Sequence, residues 1–291
     1  MLSRTEENLT EAALARLEDA SDARFREIMT SLIKHLHAFV RETGLTEAEW
    51  FAGIQFLTAT GQKCNDKRQE YILLSDTLGV SMLVDAINHR KPAGATESTV
   101  LGPFHVQGAP DMPIGANIAE EVDGEPAYFS GTVMTPDGTP IAGAVLDIWS
   151  TDGAGQYDVQ RPGDEMRARG RITSDAQGRY AFWTIKPVSY PIPTDGPVGK
   201  MLLKMGRHPY RPAHTHMIVS AAGYEPVTTH LFVKGDPYLD SDAVFAVKDS
   251  LVVDFVSHKP GVAPDGNKVD QPWWSVSYDF GLTPAARSVG A

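Results

Sequence analysis

Two histidines one residue apart open the chemistry of this sequence. His214 and His216 stand in RPAHTHMIV, ahead of an apolar, β-branched run. On a strand, side chains alternate between faces, so the two imidazoles point the same way and Thr215 points the other. At a rise of about 3.3 Å per residue their Cβ atoms lie roughly 7 Å apart, and both rings can converge on one ion with bonds of about 2.0–2.1 Å. The chain carries its own control. His35-Leu36-His37 has the same spacing on a predicted helix, where positions i and i+2 lie about 200° apart and cannot share a metal. Spacing alone leaves two readings of His214 and His216 open: a metal site, or half-buried strand histidines bonded to backbone and water. It names neither the metal nor the other ligands; zinc with a carboxylate or a third histidine, and copper, both stay open.

The elements that must carry these residues are legible in outline. Phe25, Ile28, Met29, Leu32, Leu36, Phe39 and Val40 recur at spacings of three and four, the stripe of an amphipathic helix. Gly44 suits its stop. Thr46-Glu47-Ala48-Glu49 has capping-box form for a second helix, with Trp50, Phe51, Ile54 and Leu57 as its buried stripe. Val80, Leu83, Val84 and Ile87 mark a third. From Pro92 onward Gly and Pro become frequent and short β-rich runs alternate with turns. YFSGTVMTPDGTPIAGAVLDIW (Tyr128 to Trp149) reads strand, Pro-Asp-Gly turn, strand, and RITSDAQGRYAFWTI (Arg171 to Ile185) repeats the design. Pro226 to Val233 and Ala246 to Val256 are further strands or edges. The expected fold class is mainly β with an α-helical N-terminal region: a helical part over residues 1–100 and a β-sandwich over 101–291, changing over near 90–105. Thr283 to Ala291 read as a loose tail.

Composition removes several function classes. A net charge of −11 argues against nucleic-acid binding, which wants a basic face. The single cysteine, Cys64, leaves no intrachain disulfide and no Cys-rich zinc or iron–sulfur site. The first twenty residues are acidic and lack an apolar core, so they are not read as a signal peptide, and no apolar run approaches the roughly 20 residues of a membrane span. The expected location is cytoplasmic.

Three motifs together sharpen the histidine pair. LDIWSTDGAGQYDVQ places Tyr157 in a Gly-x-Tyr turn after Asp147 and Trp149; TIKPVSYPIPTDGPVGKML places Tyr190 in a Tyr-Pro-x-Pro loop; RPAHTH follows. Types, order and spacing resemble the intradiol ring-cleavage dioxygenases, over roughly residues 20–280. The helical part before a β-sandwich is similar to the catechol-cleaving branch. TESTVLGPFHV (Thr96 to Val106) and GDPYLDSDAVFAVKDSL (Gly235 to Leu251) look most like the members that cleave hydroxyquinol; catechol and chlorocatechols are the alternative substrates.

The resemblance implies one non-haem Fe(III) per subunit, held by Tyr157, Tyr190, His214 and His216. Phenolate is a hard anionic donor that favours Fe(III), and the metal would drive loss of protons from tyrosines with an ordinary pKa near about 10. It implies that Tyr190 is displaced by substrate while Tyr157 stays. Arg211, three residues before His214, matches the family's active-site arginine, which stabilises carbanion-like charge on the ring. Odd spacing puts it off the histidine face, so it belongs where the strand begins or bends. Leu73, Asp76, Val100, Gly102, Pro103, Phe104, Ile192, Pro193 and Val244 align with substrate-contacting positions. Asp76 would accept a hydrogen bond from a third ring hydroxyl; its plain alternative is a helix cap before Thr77 and Leu78. Leu73, Val100 and Ile192 serve equally well as core. His230 stands where many catechol-cleaving members have glutamine, and either supports the ligands or is an ordinary strand histidine; His105 is open in the same way. His89, His208 and His258 read as solvated. The family also implies a homodimer through the N-terminal helices, with an apolar channel that can hold a phospholipid. Two rivals from other classes remain: a transthyretin-like β-sandwich binding module and a zinc hydrolase using the histidine pair.

Overall fold

The computed structural model describes residues 5–65, 68–163 and 165–285, and the chain divides into two compact units between Ala59 and Thr60. The first unit holds α1 (Leu9–Leu14), α2 (Ala23–Thr43) and most of α3 (Glu47–Lys63). The Asp22 carboxylate accepts the Phe25 amide at 3.0 Å and caps α2 at its start, and Gly44, with φ +57°, closes it in the left-handed region. Thr46 and Glu49 form the reciprocal box that starts α3: the Thr46 amide donates to Glu49 at 3.0 Å, and the Glu49 amide to the Thr46 hydroxyl at 3.3 Å. Trp50, Phe51, Ile54 and Leu57, expected as a buried stripe, are 42–56% exposed. Periodicity identifies an apolar face but not what covers it.

The second unit opens with α4 (Glu70–Thr77) and α5 (Val80–Asn88). It continues through β1 (Asp111–Met112), β2 (Pro126–Met134), β3 (Val145–Trp149), β4 (Arg169–Thr173), β5 (Arg179–Ile185), β6 (Tyr190–Pro191), α6 (Pro197–Lys204), β7 (Tyr210–Arg211), β8 (His214–Ser220), β9 (Val227–Val233), β10 (Val252–Val253), β11 (Val256–His258), β12 (Gly261–Val262), β13 (Lys268–Val269), β14 (Trp273–Ser277) and β15 (Phe280–Gly281). One sheet runs β1-β4-β3-β8-β9-β10; the other runs β11-β14-β2-β15, with β5 paired to β2. The two turn-linked strand pairs read from the sequence are not hairpins. β2 and β3 lie in different sheets, as do β4 and β5, so each turn carries the chain across the sandwich. Gly138 (φ +88°) and Gly178 (φ +73°) make those turns possible.

The core lies between the sheets. Phe129, Phe182, Val276 and Phe280 come from one, and Leu146, Ile148, Met217, Val219 and Leu231 from the other. On β8, Met217 and Val219 enter this core, so His214 and His216 must face outward. Cross-strand register then sets Trp149 of β3 and His230 of β9 on either side of His216.

The segment expected as a strand from Ala246 to Val256 is mostly irregular. A 3-10 turn at Asp249–Leu251 precedes the two-residue β10, because Lys248 is held by Asp85 and by the Ser98 carbonyl rather than by a ladder. The expected tail is bonded where it is described: Glu225 donates to the Thr283 carbonyl at 2.8 Å and Ala285 to the Gly223 carbonyl at 2.9 Å. Residues 286–291 lie outside the described residues. His258 is on β11, stacked on Trp273 at 4.1 Å and bonded to Ser275, so it is a strand residue with partners rather than a solvated turn histidine.

A buried ion pair ties the loop after β3 to β4. Arg169 donates from Nε to Asp158 Oδ2 at 2.6 Å and from Nη2 to Oδ1 at 2.5 Å, and both side chains are at most 5% exposed. Burial raises the Asp158 pKa, but the bonds and charge of Arg169 outweigh it and leave the net shift downward. A folded value below the unfolded one means that this stabilisation is present above the ordinary carboxylate range and is lost as pH falls through the folded value. Asp158→Asn should therefore lower stability at neutral pH by up to about 3–5 kcal/mol. The deficit against the parent should shrink below about pH 4 in urea titrations; a deficit unchanged down to the acid transition would contradict this role.

Candidate metal centre

Four side chains meet on the outer face of the six-stranded sheet. His214 and His216 project from β8. Tyr157 precedes the 3-10 turn Asp158–Gln160, where Gln160 Oε1 accepts the Tyr157 amide at 2.9 Å. The Asp158–Arg169 pair fixes that turn, and Phe104 stacks on the Tyr157 ring at 4.6 Å. Tyr190 comes from β6 and lies directly opposite Arg211 of β7. Arg211 thus sits on its own short strand, separated from β8 by Pro212 and Ala213, as the odd spacing required.

The polar atoms of the four close a ring. Tyr157 Oη is 3.0 Å from Tyr190 Oη and 2.8 Å from His216 Nε2. His214 Nε2 is 3.2 Å from Tyr190 Oη and 3.1 Å from His216 Nε2. The His214 Nδ1 donates to the Pro212 carbonyl at 2.7 Å, which turns the lone pair of Nε2 toward the ring. An ion with bonds of about 2.0–2.1 Å keeps neighbouring ligand atoms roughly 3 Å apart, so these separations fit a shared cation. All four residues are at most 5% exposed. His230 joins the cluster: ring nitrogens of His214, His216 and His230 lie within 4.8 Å of one another, so a three-histidine set able to hold a metal is present as well.

The electrostatics of the cluster's own side chains point the same way. Burial pushes Tyr157 well above the ordinary phenol range, with Tyr190 adding to the effect. Burial also raises Tyr190, against the pull of the Arg211 charge. His214, His216 and His230 are all held well below the ordinary imidazole range, by burial first and then by neighbouring positive groups. The histidines are therefore neutral donors. The tyrosines need a cation if they are to become phenolates.

The other expected residues are placed as follows. Gly102 (φ +74°) presses on the His216 ring, where an added Cβ would lie 3.2 Å from Cε1. Phe104 covers Tyr157, and the Val100 backbone faces His230. Leu73 and Asp76 are buried on α4; Asp76 lies within its last turn and caps nothing, which removes the capping alternative. Burial raises the Asp76 pKa against a Ser81 hydrogen bond and the Arg211 charge. Ile192 and Pro193 follow Tyr190 on leaving β6, and Val244 lies in the turn after Asp242. His105 lies outside the four-atom ring, bonded to Asp147 at 3.2 Å and edge-on to Trp149, which stacks on His216 at 4.7 Å. His208 packs on Tyr238 and His89 pairs with Asp85.

Sequence reasoning missed three carboxylates. Asp158 anchors Tyr157. Asp236 Oδ2 accepts both the Ser189 hydroxyl at 2.5 Å and the Ala213 amide at 3.0 Å, joining the segments that carry Tyr190 and His214. Asp242 pairs with Arg211. Asp158 could have been suspected from its place beside Tyr157; the partners of the other two lie 23 to 47 residues away, and no local pattern marks them.

Known proteins match the chain over nearly its whole length. Residues 22–96 match the family model described as "Catechol dioxygenase N terminus", and residues 100–284 match the one described as "Dioxygenase". The chain is 52% identical to 6-chlorohydroxyquinol 1,2-dioxygenase of Cupriavidus pinatubonensis, over 95% of this chain and 97% of that one. It is 51% identical to hydroxyquinol 1,2-dioxygenase of a Rhizobium species, over 95% of each. The solved structure of hydroxyquinol 1,2-dioxygenase from Pseudomonas putida DLL-E4 superposes with a TM-score of 0.90 at 51% identity, covering 96% of this chain and 99% of that one. On whole-chain matches of this kind, the chain belongs to the intradiol ring-cleavage dioxygenases.

Proposed function

We propose that this oxidoreductase opens hydroxyquinol, 1,2,4-trihydroxybenzene, between its vicinal hydroxyl-bearing carbons. Both atoms of O2 enter the product, 3-hydroxy-cis,cis-muconate, a tautomer of maleylacetate. The observation that carries the reading is the closed ring of Tyr157, Tyr190, His214 and His216 donor atoms. The relatives named for hydroxyquinol and its chloro derivative support the third ring hydroxyl. Catechol and chlorocatechols are the competing substrates.

Two phenolates and two neutral imidazoles are a hard, anionic donor set suited to one Fe(III). Iron held there would supply Lewis acidity toward two vicinal substrate oxygens and electronic contact between the ring and O2. The protein does the rest. Tyr190 sits on a two-residue strand, whereas Tyr157 is locked by its ion-paired turn and by Phe104. Tyr190 would therefore be the ligand that gives way and takes up a substrate proton, while Tyr157 would stay. Arg211 is 4% exposed with Nη1 3.1 Å from His214 Nε2, and it stabilises negative charge as it develops on the ring. Asp76 accepts the third hydroxyl. Leu73, Val100, Gly102, Pro103, Phe104, Ile192, Pro193 and Val244 form the walls. His230, fully buried against His214 and His216, supports the ligands.

Residues 1–100 serve dimerisation and 101–291 catalysis in this reading, and a cytoplasmic location fits a chain with one thiol. Phe25, Leu32, Leu36 and Phe39 of α2 are 46–54% exposed along one helix face, a surface for a second copy of the chain and for a phospholipid chain between subunits. No described helix is long and apolar enough to cross a membrane.

The purified protein should be burgundy-red, from tyrosinate-to-Fe(III) charge transfer, with one iron per chain by metal analysis. Tyr157→Phe and His216→Ala should each lose colour and iron; iron kept by both would overturn the ligand set. Oxygen uptake should be faster with hydroxyquinol than with catechol. Asp76→Ala should cut kcat/KM for hydroxyquinol by roughly 10- to 100-fold while barely moving catechol; a faster parent rate on catechol would reject the substrate. Sedimentation should show a dimer that Leu32→Asp separates, and a parent that sediments as a monomer would reject the α2 contact.

A further inference from the structure

Arg211 is a cation with almost no access to water, and it carries several donors in one plane. A buried charge of this kind is tolerated only when it is paired. Its pair is Asp242, itself 4% exposed. Arg211 Nε donates to Asp242 Oδ1 at 3.1 Å and Nη2 to Oδ2 at 3.4 Å, and Nη2 is also 3.4 Å from His230 Nδ1. With one edge of the fork held by a carboxylate, the guanidinium plane is set, and Nη1 is left facing His214.

The same carboxylate makes a second set of bonds. Oδ1 accepts the Val244 amide at 3.3 Å, and Oδ2 accepts the Ala246 amide at 3.0 Å. Phe245, between them, is held at φ +60°, where a bulky residue is strained, so the turn depends on these bonds. Arg207 holds the turn from its other side. It donates to the Ala243 carbonyl at 2.9 Å and the Thr77 carbonyl at 2.5 Å, and packs over the Phe245 ring at 4.5 Å. The end of α4, which carries Asp76, is thereby joined to the turn that carries Val244. A surface cleft of about 460 Å³, lined by Arg207, Asp242 and Phe245, lies behind this arrangement.

We propose that Asp242 is a positioning residue for the ring-cleavage reaction: it orients Arg211 and, through the same two oxygens, registers that guanidinium against the Val244 wall of the substrate pocket. The inference rests on the ring-cleavage reading above. A shift of the guanidinium leaves substrate bound but misplaces the charge that the transition state needs, so kcat falls more than KM changes.

The test is a two-by-two cycle of Asp242→Asn and Arg211→Ala on the iron-loaded, full-length enzyme, following kcat, KM and Tm. Alone, Asp242→Asn should lower kcat by about 10²-fold with a much smaller change in KM, and lower Tm. Added to Arg211→Ala it should lower kcat and Tm by clearly less than it does alone, because the guanidinium it orients and pairs with is already gone and only the Val244 and Ala246 bonds remain to be weakened. Asp242→Glu, which keeps the charge, should recover part of kcat. An equal fall in kcat in both backgrounds would overturn the proposal, as would a lower Tm with kcat intact. If Asp242→Asn does not fold, Asp242→Glu goes through the same cycle, judged by non-additivity in kcat: a fall beside Arg211 that vanishes in Arg211→Ala supports the proposal, and an equal fall in both overturns it. A parent that consumes no oxygen with any vicinal aromatic diol would reject the ring-cleavage reading instead, and the Tm cycle would still decide whether Asp242 and Arg211 are coupled.

Discussion

One strand serves two purposes through its side-chain period of two. On β8, Met217 and Val219 are part of the sandwich core, which fixes the register of the strand, and the same register commits His214 and His216 to the opposite face. A slip of one residue would bury both histidines among Phe129, Phe182 and Leu231 and expel two core residues. The hydrophobic effect that closes the sandwich is therefore also what aims the ligand atoms. Because β3 and β9 flank β8 in register, Trp149 and His230 arrive beside His216 without further devices. The tyrosines need more: they come from loops, and each has a carboxylate that fixes its segment, Asp158 for Tyr157 and Asp236 for Tyr190.

Charge is arranged around this cluster in layers. The innermost groups are imidazoles and phenols, whose neutral forms burial favours until a cation is held among them. The next are two fully paired arginines, Arg169 with Asp158 and Arg211 with Asp242. In so dry a place an unpaired ion would dominate the local field, and pairing lets both arginines hold position without swamping the centre. Asp76 is a buried carboxyl near the same arginine, without a bidentate partner. Ser81 takes part of its acceptor capacity, and a carboxylate has room for a further donor.

Much of this was legible before any coordinates. The capping box at Thr46, the stop at Gly44, the strand under RPAHTHMIV and the shared face of its histidines all follow from local rules, and the structure has each of them. Tyr157 and Tyr190 were legible only as parts of a family pattern, since nothing local says that two tyrosines 33 residues apart will touch. What could not be read was non-local. α4 was missed because its buried Glu70, Asp76 and Thr77 break any apolar stripe, and α6 because it begins in a Pro- and Gly-rich stretch. The crossing of β2–β3 and β4–β5 between sheets was hidden because a turn signal says that the chain reverses, not which sheet receives it. Asp242 escaped because its partner is 31 residues away.

That crossing has a consequence for the order in which the molecule is made. β2, the central strand of its sheet, pairs with β5 on one side and with β14, near the far end of the described chain, on the other. Neither sheet can be completed from neighbours in sequence, so closure of long loops must precede most of the favourable contacts, and such topologies fold slowly. The residues of the four-atom ring are spread from Tyr157 to His216 and depend on the closed sandwich for their aim. During synthesis the chain must be almost entirely made before they can meet, so the centre is assembled after the scaffold rather than serving as its nucleus.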